Sequence, residues 1–191
     1  MKTLLAFVLA LSFSTLVASN SIIAIVNDTV VTMDSISADI NEKTTAAKKM
    51  ALVQRQIDIV LQTEQIQALG IAPKADAVNQ LLTEVAKQNG LTMAQLRSNN
   101  QFEEIINAIA QNLVLSELKQ VVLQQANLAI NQAEIEEVLA NNPKKTSVTK
   151  AAHLANIKAQ LFRAKKTAFF QGWVKSLHKN AYIEIFTDKL K

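Results

Sequence analysis

The chain contains no cysteine. That excludes disulfides, thiolate metal sites, cysteine nucleophiles and a lipid-bearing cysteine. It is compatible with an oxidising compartment but does not identify one. Only three glycines are present, too few for a phosphate-cradling loop or the glycine-flanked elbow of a serine hydrolase around Ser116 or Ser176. Two prolines complete a sparse set of turn formers, which argues against a sheet-rich fold and for long helices with few connections. The two histidines, His153 and His178, lie far apart, and neither has a carboxylate at the spacing of a helical metal site. Long apolar runs are also scarce. Leu4 to Leu11 (LLAFVLAL) is unbroken but well short of the roughly 20 residues that span a bilayer.

What is present is unevenly distributed. With 49% hydrophobic residues in 191, one domain or at most two small ones can bury a core. Of nine aromatics, six (Phe162, Phe169, Phe170, Trp173, Tyr182, Phe186) fall in the last thirty residues, marking the C-terminal helix as a core or docking element. Charge divides at the same place. Residues Asn20 to Asn142 hold 8 Lys/Arg against 14 Asp/Glu, whereas Pro143 to Lys191 hold 11 against 2. Either the basic helix packs across an acidic body, or it offers a basic face to an anionic partner. No aromatic-interleaved basic strand or zinc finger points to nucleic acid.

In chain order, Met1 to Ser19 reads as a secretory signal: Lys2, the apolar run, then Val17-Ala18-Ser19 as a small-residue exit. Cleavage after Ser19 fits best and after Ala18 is the alternative; a retained anchor is the less favoured reading. Ile22 to Val26 is β-branched and predicts a short buried strand. Asn27-Asp28 turns it, Val30-Val31 returns, and Thr32 is placed to cap a helix running from Met33 through Ile36 and Ile40 and fraying over Glu42 to Lys49. A second helix is expected over Ala51 to Leu69, with Leu52, Ile59 and Ile66 seven apart.

The most fully punctuated stretch is Leu69 to Arg97. Pro73 precedes the first turn, Val78, Leu81, Leu82 and Val85 form one apolar stripe, and Gly90 stands where a left-handed cap belongs. Thr92 with Gln95 has the spacing of a capping box, as do Asn100 with Glu103 and Asn131 with Glu134. The helix opened by Phe102 is apolar on two successive faces, first Phe102, Ile105, Ile106, Ile109, Leu113 and Val114, then Leu115, Leu118, Val121 and Val122. It is therefore expected at the centre of the core. After an extended step at Asn127 to Ile130, Ile135, Val138 and Leu139 mark a brief helix whose leading Glu134, Glu136 and Glu137 favour the positive end of its dipole. Asn141 to Lys150 (NNPKKTSVTK) is the one clear linker. From Ala151, Leu154, Ile157, Leu161, Ala164 and Ala168 make a stripe that passes at Gly172 to Phe170, Trp173, Val174 and Leu177, suggesting a bend or a close backbone contact there. Tyr182 to Phe186 alternates and predicts a strand pairing with the N-terminal hairpin.

Four blocks in this order carry a resemblance: Ile22 to Asp34 (IIAIVNDTVVTMD), the AKQNG-LTMAQLR stretch ending at Arg97, NLVLSELKQVVLQQANLAINQAEIEEVL ending at Leu139, and Phe170 to Phe186 (FQGWVKSLHKNAYIEIF). Together the chain resembles the N-terminal domain of SurA-type periplasmic chaperones, with the closing helix and strand of that family. The resemblance implies a mainly α fold with a small sheet made by the N-terminal hairpin and the C-terminal strand. It makes residues 20–191 one domain, with 151–191 completing it. It also implies a periplasmic, ATP-independent protein that binds unfolded outer-membrane or secreted polypeptides, without cofactor, metal or membrane span after processing. Parvulin-type isomerase domains usually occupy the position held here by Asn141 to Lys150, so no isomerase activity is expected. The alternative is a structural or adaptor subunit of the same fold, binding one partner or itself. Groove and core side chains read alike in a sequence, so no peptide-binding residue is assigned.

Overall fold

A computed structural model describes residues 21–142 and 149–190. Among these residues lie three strands and seven α-helices: β1 (Ile22–Val26), β2 (Thr29–Thr32), α1 (Asp34–Ser37), α2 (Ala46–Ala68), α3 (Ala75–Gln88), α4 (Met93–Arg97), α5 (Phe102–Gln124), α6 (Gln132–Asn141), α7 (Lys150–Asn180) and β3 (Ile183–Ile185). A 3-10 turn, Thr187–Leu190, follows. The protein is mainly α with one small antiparallel sheet in the order β2-β1-β3.

That sheet joins the two ends of the described chain. Ala24 and Val26 pair with Val31 and Thr29 on one side, and with Ile185 and Ile183 on the other. Asn27, at φ 50°, makes the hairpin turn. Its N–H donates to the Tyr182 carbonyl, its Oδ1 accepts from the Tyr182 N–H, and its side-chain nitrogen donates to Glu64 at 2.7 Å. One turn residue thus fastens β1 to the C-terminal segment and to α2.

The expected strands are found, and the helix after them is corrected. Thr32 pairs in β2 and caps nothing; its carbonyl accepts from the Ser35 hydroxyl. The helix stops at Ser37. Asn41 and Thr44 then close a local turn through their side chains, and Thr45 opens α2 by accepting from the Lys48 N–H. Lys48 and Lys49 therefore belong to a well-started helix, not to a frayed end. Both ends of α3 fall as its sequence implies: Pro73 precedes it, and Gly90 takes φ +66° after it. The Thr92–Gln95 and Asn131–Glu134 capping boxes are both formed. Asn100–Glu103 is not. There Asn99 accepts from the Gln101 N–H, so α5 begins without a side-chain cap.

Most buried side chains fall into three clusters; Leu123, Ile135 and Ile157 lie outside them. The largest is built on the sheet and α2, with ten buried residues from Ile23 to Leu190. Ile23, Val26, Val53 and Ile57 are wholly enclosed in it, each contributing about 1.5–3 kcal/mol by burial. A second joins Leu82, Ala86, Leu96 and Ile109 between α3, α4 and the first half of α5. A third joins Ile66, Leu118 and Val122, with Phe170 and Trp173 of α7 packed on it. The two apolar faces of α5 are thus used by different partners. The expectation that α5 centres the core is corrected: it bridges the two smaller clusters, and the main one contains none of it. Ile59, in the seven-residue repeat with Leu52 and Ile66, is 36% exposed because neither cluster reaches it.

Candidate functional site

At about 1.5 Å per residue, the 31-residue α7 is roughly 46 Å long. Its second half lies on α2, α5 and the sheet, whereas its first half has α6 beside it. Thr149 starts the helix by accepting from the Ala152 N–H. Of the stripe Leu154, Ile157, Leu161, Ala164 and Ala168, Ile157 is buried, Leu154 and Leu161 are half-buried, and both alanines are exposed. The ten-residue α6 is too short to cover more.

The two helices run antiparallel and are held at both ends. At one end Lys165 reaches Glu134 at 2.7 Å and also donates to the Ala129 carbonyl. At the other, the His153 Nε2 lies 2.9 Å from the Asn142 carbonyl oxygen. Glu134 also accepts from the Asn131 N–H. Lys165, and then that backbone N–H, hold the Glu134 carboxyl below the usual carboxylate range. Between these ties opens a cleft of about 510 Å³, lined by Gln132, Ile135 and Leu139 of α6 and by Lys150, His153, Leu154 and Lys158 of α7. This volume lies within the roughly 300–1,000 Å³ of ligand-binding clefts. Its floor is aliphatic and its α7 edge is basic.

Past the cleft, Phe162, Lys166, Phe169 and Trp173 follow at spacings that place them on one side of α7. Phe162 and Phe169 are 40% and 37% exposed, and the Lys166 ammonium stands 5.5 Å from the Phe162 ring centre. Trp173 is half-buried against Phe170, their rings 5.3 Å apart. The C-terminal aromatics therefore divide between packing and display. Gly172 does not make the close approach expected of it; α7 runs through it and its surroundings are open.

The remaining residues singled out from sequence have local roles. Glu134 caps α6, and Glu136 accepts from Gln132. His178 bonds Asp58 of α2 at 2.5 Å, tying the basic helix to the acidic body. Ser176 donates to the Trp173 carbonyl within α7. Ala18 and Ser19 lie outside the described residues. Among the described residues no three His, Asp or Glu side chains are placed to hold a metal, and no helix is long and apolar enough to cross a membrane. The cleft residues escaped the sequence reading because Ile135, Leu139 and Leu154 look like any core stripe.

No family model matches the chain, and no curated protein matches it in sequence. Among solved structures, the fold matches a chain from work on the virulence factor PEB4 and the periplasmic protein Cj1289, two structurally related SurA-like chaperones of Campylobacter jejuni. The TM-score is 0.66 at 13% identity, over 87% of this chain and 99% of that one. The fold is that of a SurA-like chaperone. Identity this low establishes the architecture alone. Within this fold, the α6–α7 cleft and the aromatic side of α7 leave apolar surface open, as do Ile22, Val30, Leu69 and Tyr182 elsewhere.

Proposed function

We propose that this protein is an ATP-independent periplasmic chaperone that shields unfolded or extended polypeptides, outer-membrane protein precursors among them. The observation that carries the reading is an open aliphatic cleft continued by exposed phenylalanines, on a SurA-like fold. Client side chains would bury on this surface while the client backbone stays partly solvated, which keeps affinity modest and exchange fast. Residues 20–191 form the working domain in this reading. Residues 1–19 are an export signal removed after Ser19 or Ala18, so N-terminal sequencing of the exported protein should begin at Asn20 or Ser19. The short connection between α6 and α7, Asn142 to Thr149, supports a role without isomerase activity.

The test mixes purified protein with an unfolded outer-membrane barrel protein and follows light scattering, beside a proline-isomerisation rate on a model peptide. Suppressed aggregation without rate acceleration, unchanged by chelator and without nucleotide, is the expected result. Failure to suppress at several-fold excess, together with tight capture of one folded partner, would assign the fold to an adaptor instead.

A further inference from the structure

We propose that the α6–α7 cleft prefers client segments whose apolar side chains are flanked by carboxylates, and that Lys150 and Lys158 set this preference. The proposal rests on the client-binding reading above and names the class of sequence the site selects. Three observations carry it. First, α7 bears seven Lys/Arg and no Asp/Glu over its 31 residues. Second, among the described residues the cleft lining includes two lysines and a histidine but no carboxylate. Third, of the three acids on α6, Glu134 is taken by Lys165, and the exposed Glu136 and Glu137 lie outside the cleft lining. Lys150 and Lys158 are exposed and form no ion pair among the described residues.

An apolar side chain seated on Ile135, Leu139 and Leu154 would hold its neighbours near those two ammonium groups. Carboxylates there gain attraction, and lysines there meet repulsion. The lysines border a recess between two helices rather than a plane, which suits a chain segment better than a bilayer surface. A second copy offering the same edge would bring lysine against lysine.

Exposed pairs are individually weak, so two of them should separate acidic from neutral flanks by about three- to tenfold at low salt. High salt should reduce the gap to within about twofold, because the groups are open to screening. The experiment uses the full chain and fluorescein-labelled peptides sharing one apolar core with aspartate, asparagine or lysine flanks, read by anisotropy. The expected order of affinity is aspartate, asparagine, lysine. K150Q/K158Q should erase the order, bringing the three peptides within about twofold of one another. K175Q/K179Q, altered at the far end of the helix, should keep the order. Equal affinities alongside intact aggregation suppression would overturn the charge preference and spare the chaperone reading. Absence of both peptide binding and aggregation suppression would overturn the two together. Loss of the order in K175Q/K179Q would remove the preference from this cleft. Capture by phosphatidylglycerol vesicles without any peptide order would replace the polypeptide with a lipid surface.

Discussion

Gly90 is held at φ +66°, whereas Gly172 lies in the regular run of α7, and neither has an atom within 4 Å of where a Cβ would sit. Space is equal at the two, so only the backbone distinguishes them. Alanine at Gly90 meets left-handed strain of about 1–2 kcal/mol. At Gly172 it gains about 0.5–1 kcal/mol from the reduced freedom of the unfolded chain. G90A should therefore melt several degrees lower and G172A about 2 °C higher, at roughly 2–4 °C per kcal/mol for a chain of this size. A destabilised G172A would mean that α7 is covered at a point where the structure leaves it open. The carboxyl of Glu134 gives a pH signature at the same scale. Its folded pKa is depressed, chiefly by Lys165, so the ion form stabilises the fold above the usual carboxylate range. That contribution is lost as pH falls through the lowered value. Amide exchange in α6, compared between wild type and E134A, should differ at neutral pH and converge in strong acid. A difference that persisted at low pH would assign the tie to something other than this carboxylate.

At the scale of elements, the sequence was most legible where a signal is local. The two formed capping boxes, the left-handed Gly90 and the Asn27 turn each depend on residues within a few positions of one another. Asn100–Glu103 misled because the neighbouring Asn99 supplies a competing local bond. The stripe on α7 misled for a different reason. Periodicity tells which side of a helix is apolar but not how far its partner extends, and α6 ends after ten residues. The cleft lies between the two helices and is lined by both, so it could not be located before the partner was known. The closing strand, in contrast, was legible, and its contribution can be tested. β3 completes the sheet against β1, and Leu190 beyond it is 2% exposed in the main cluster. Leu190→Ala should cost about 2–5 kcal/mol, the usual range for a buried leucine. Ending the chain at Asn142 removes β3, Leu190 and the cover over Leu118 and Val122 together, and should give aggregation or rapid proteolysis. A truncated chain that melted as cooperatively as the whole would break this account of the fold.

Across the whole molecule, twenty hydrophobic side chains are buried among the described residues, and they are divided very unequally. The sheet–α2 cluster holds ten, while α6 and α7 contribute one each, Ile135 and Ile157. Local opening follows buried contact, so resistance to opening should fall from the sheet and α2, through α3 and α5, to α6 with the first half of α7. The least stable part is then the one carrying the cleft. Under the proposed chaperone role this arrangement suits a site that accepts many sequences, because α6 can shift against α7 while the sheet joins the ends of the described chain. Native-state hydrogen exchange tests the order directly. Amides of Val53 to Leu61 should open with the global unfolding free energy, whereas those of Ile135 to Leu139 should open well below it. Adding a client peptide should slow exchange in α6 and the first half of α7 and leave the slowest amides of α2 tied to global stability. If α6 proved as protected as α2 without peptide, the cleft would be a rigid recess, and selection of varied clients by movement of α6 would have to be abandoned.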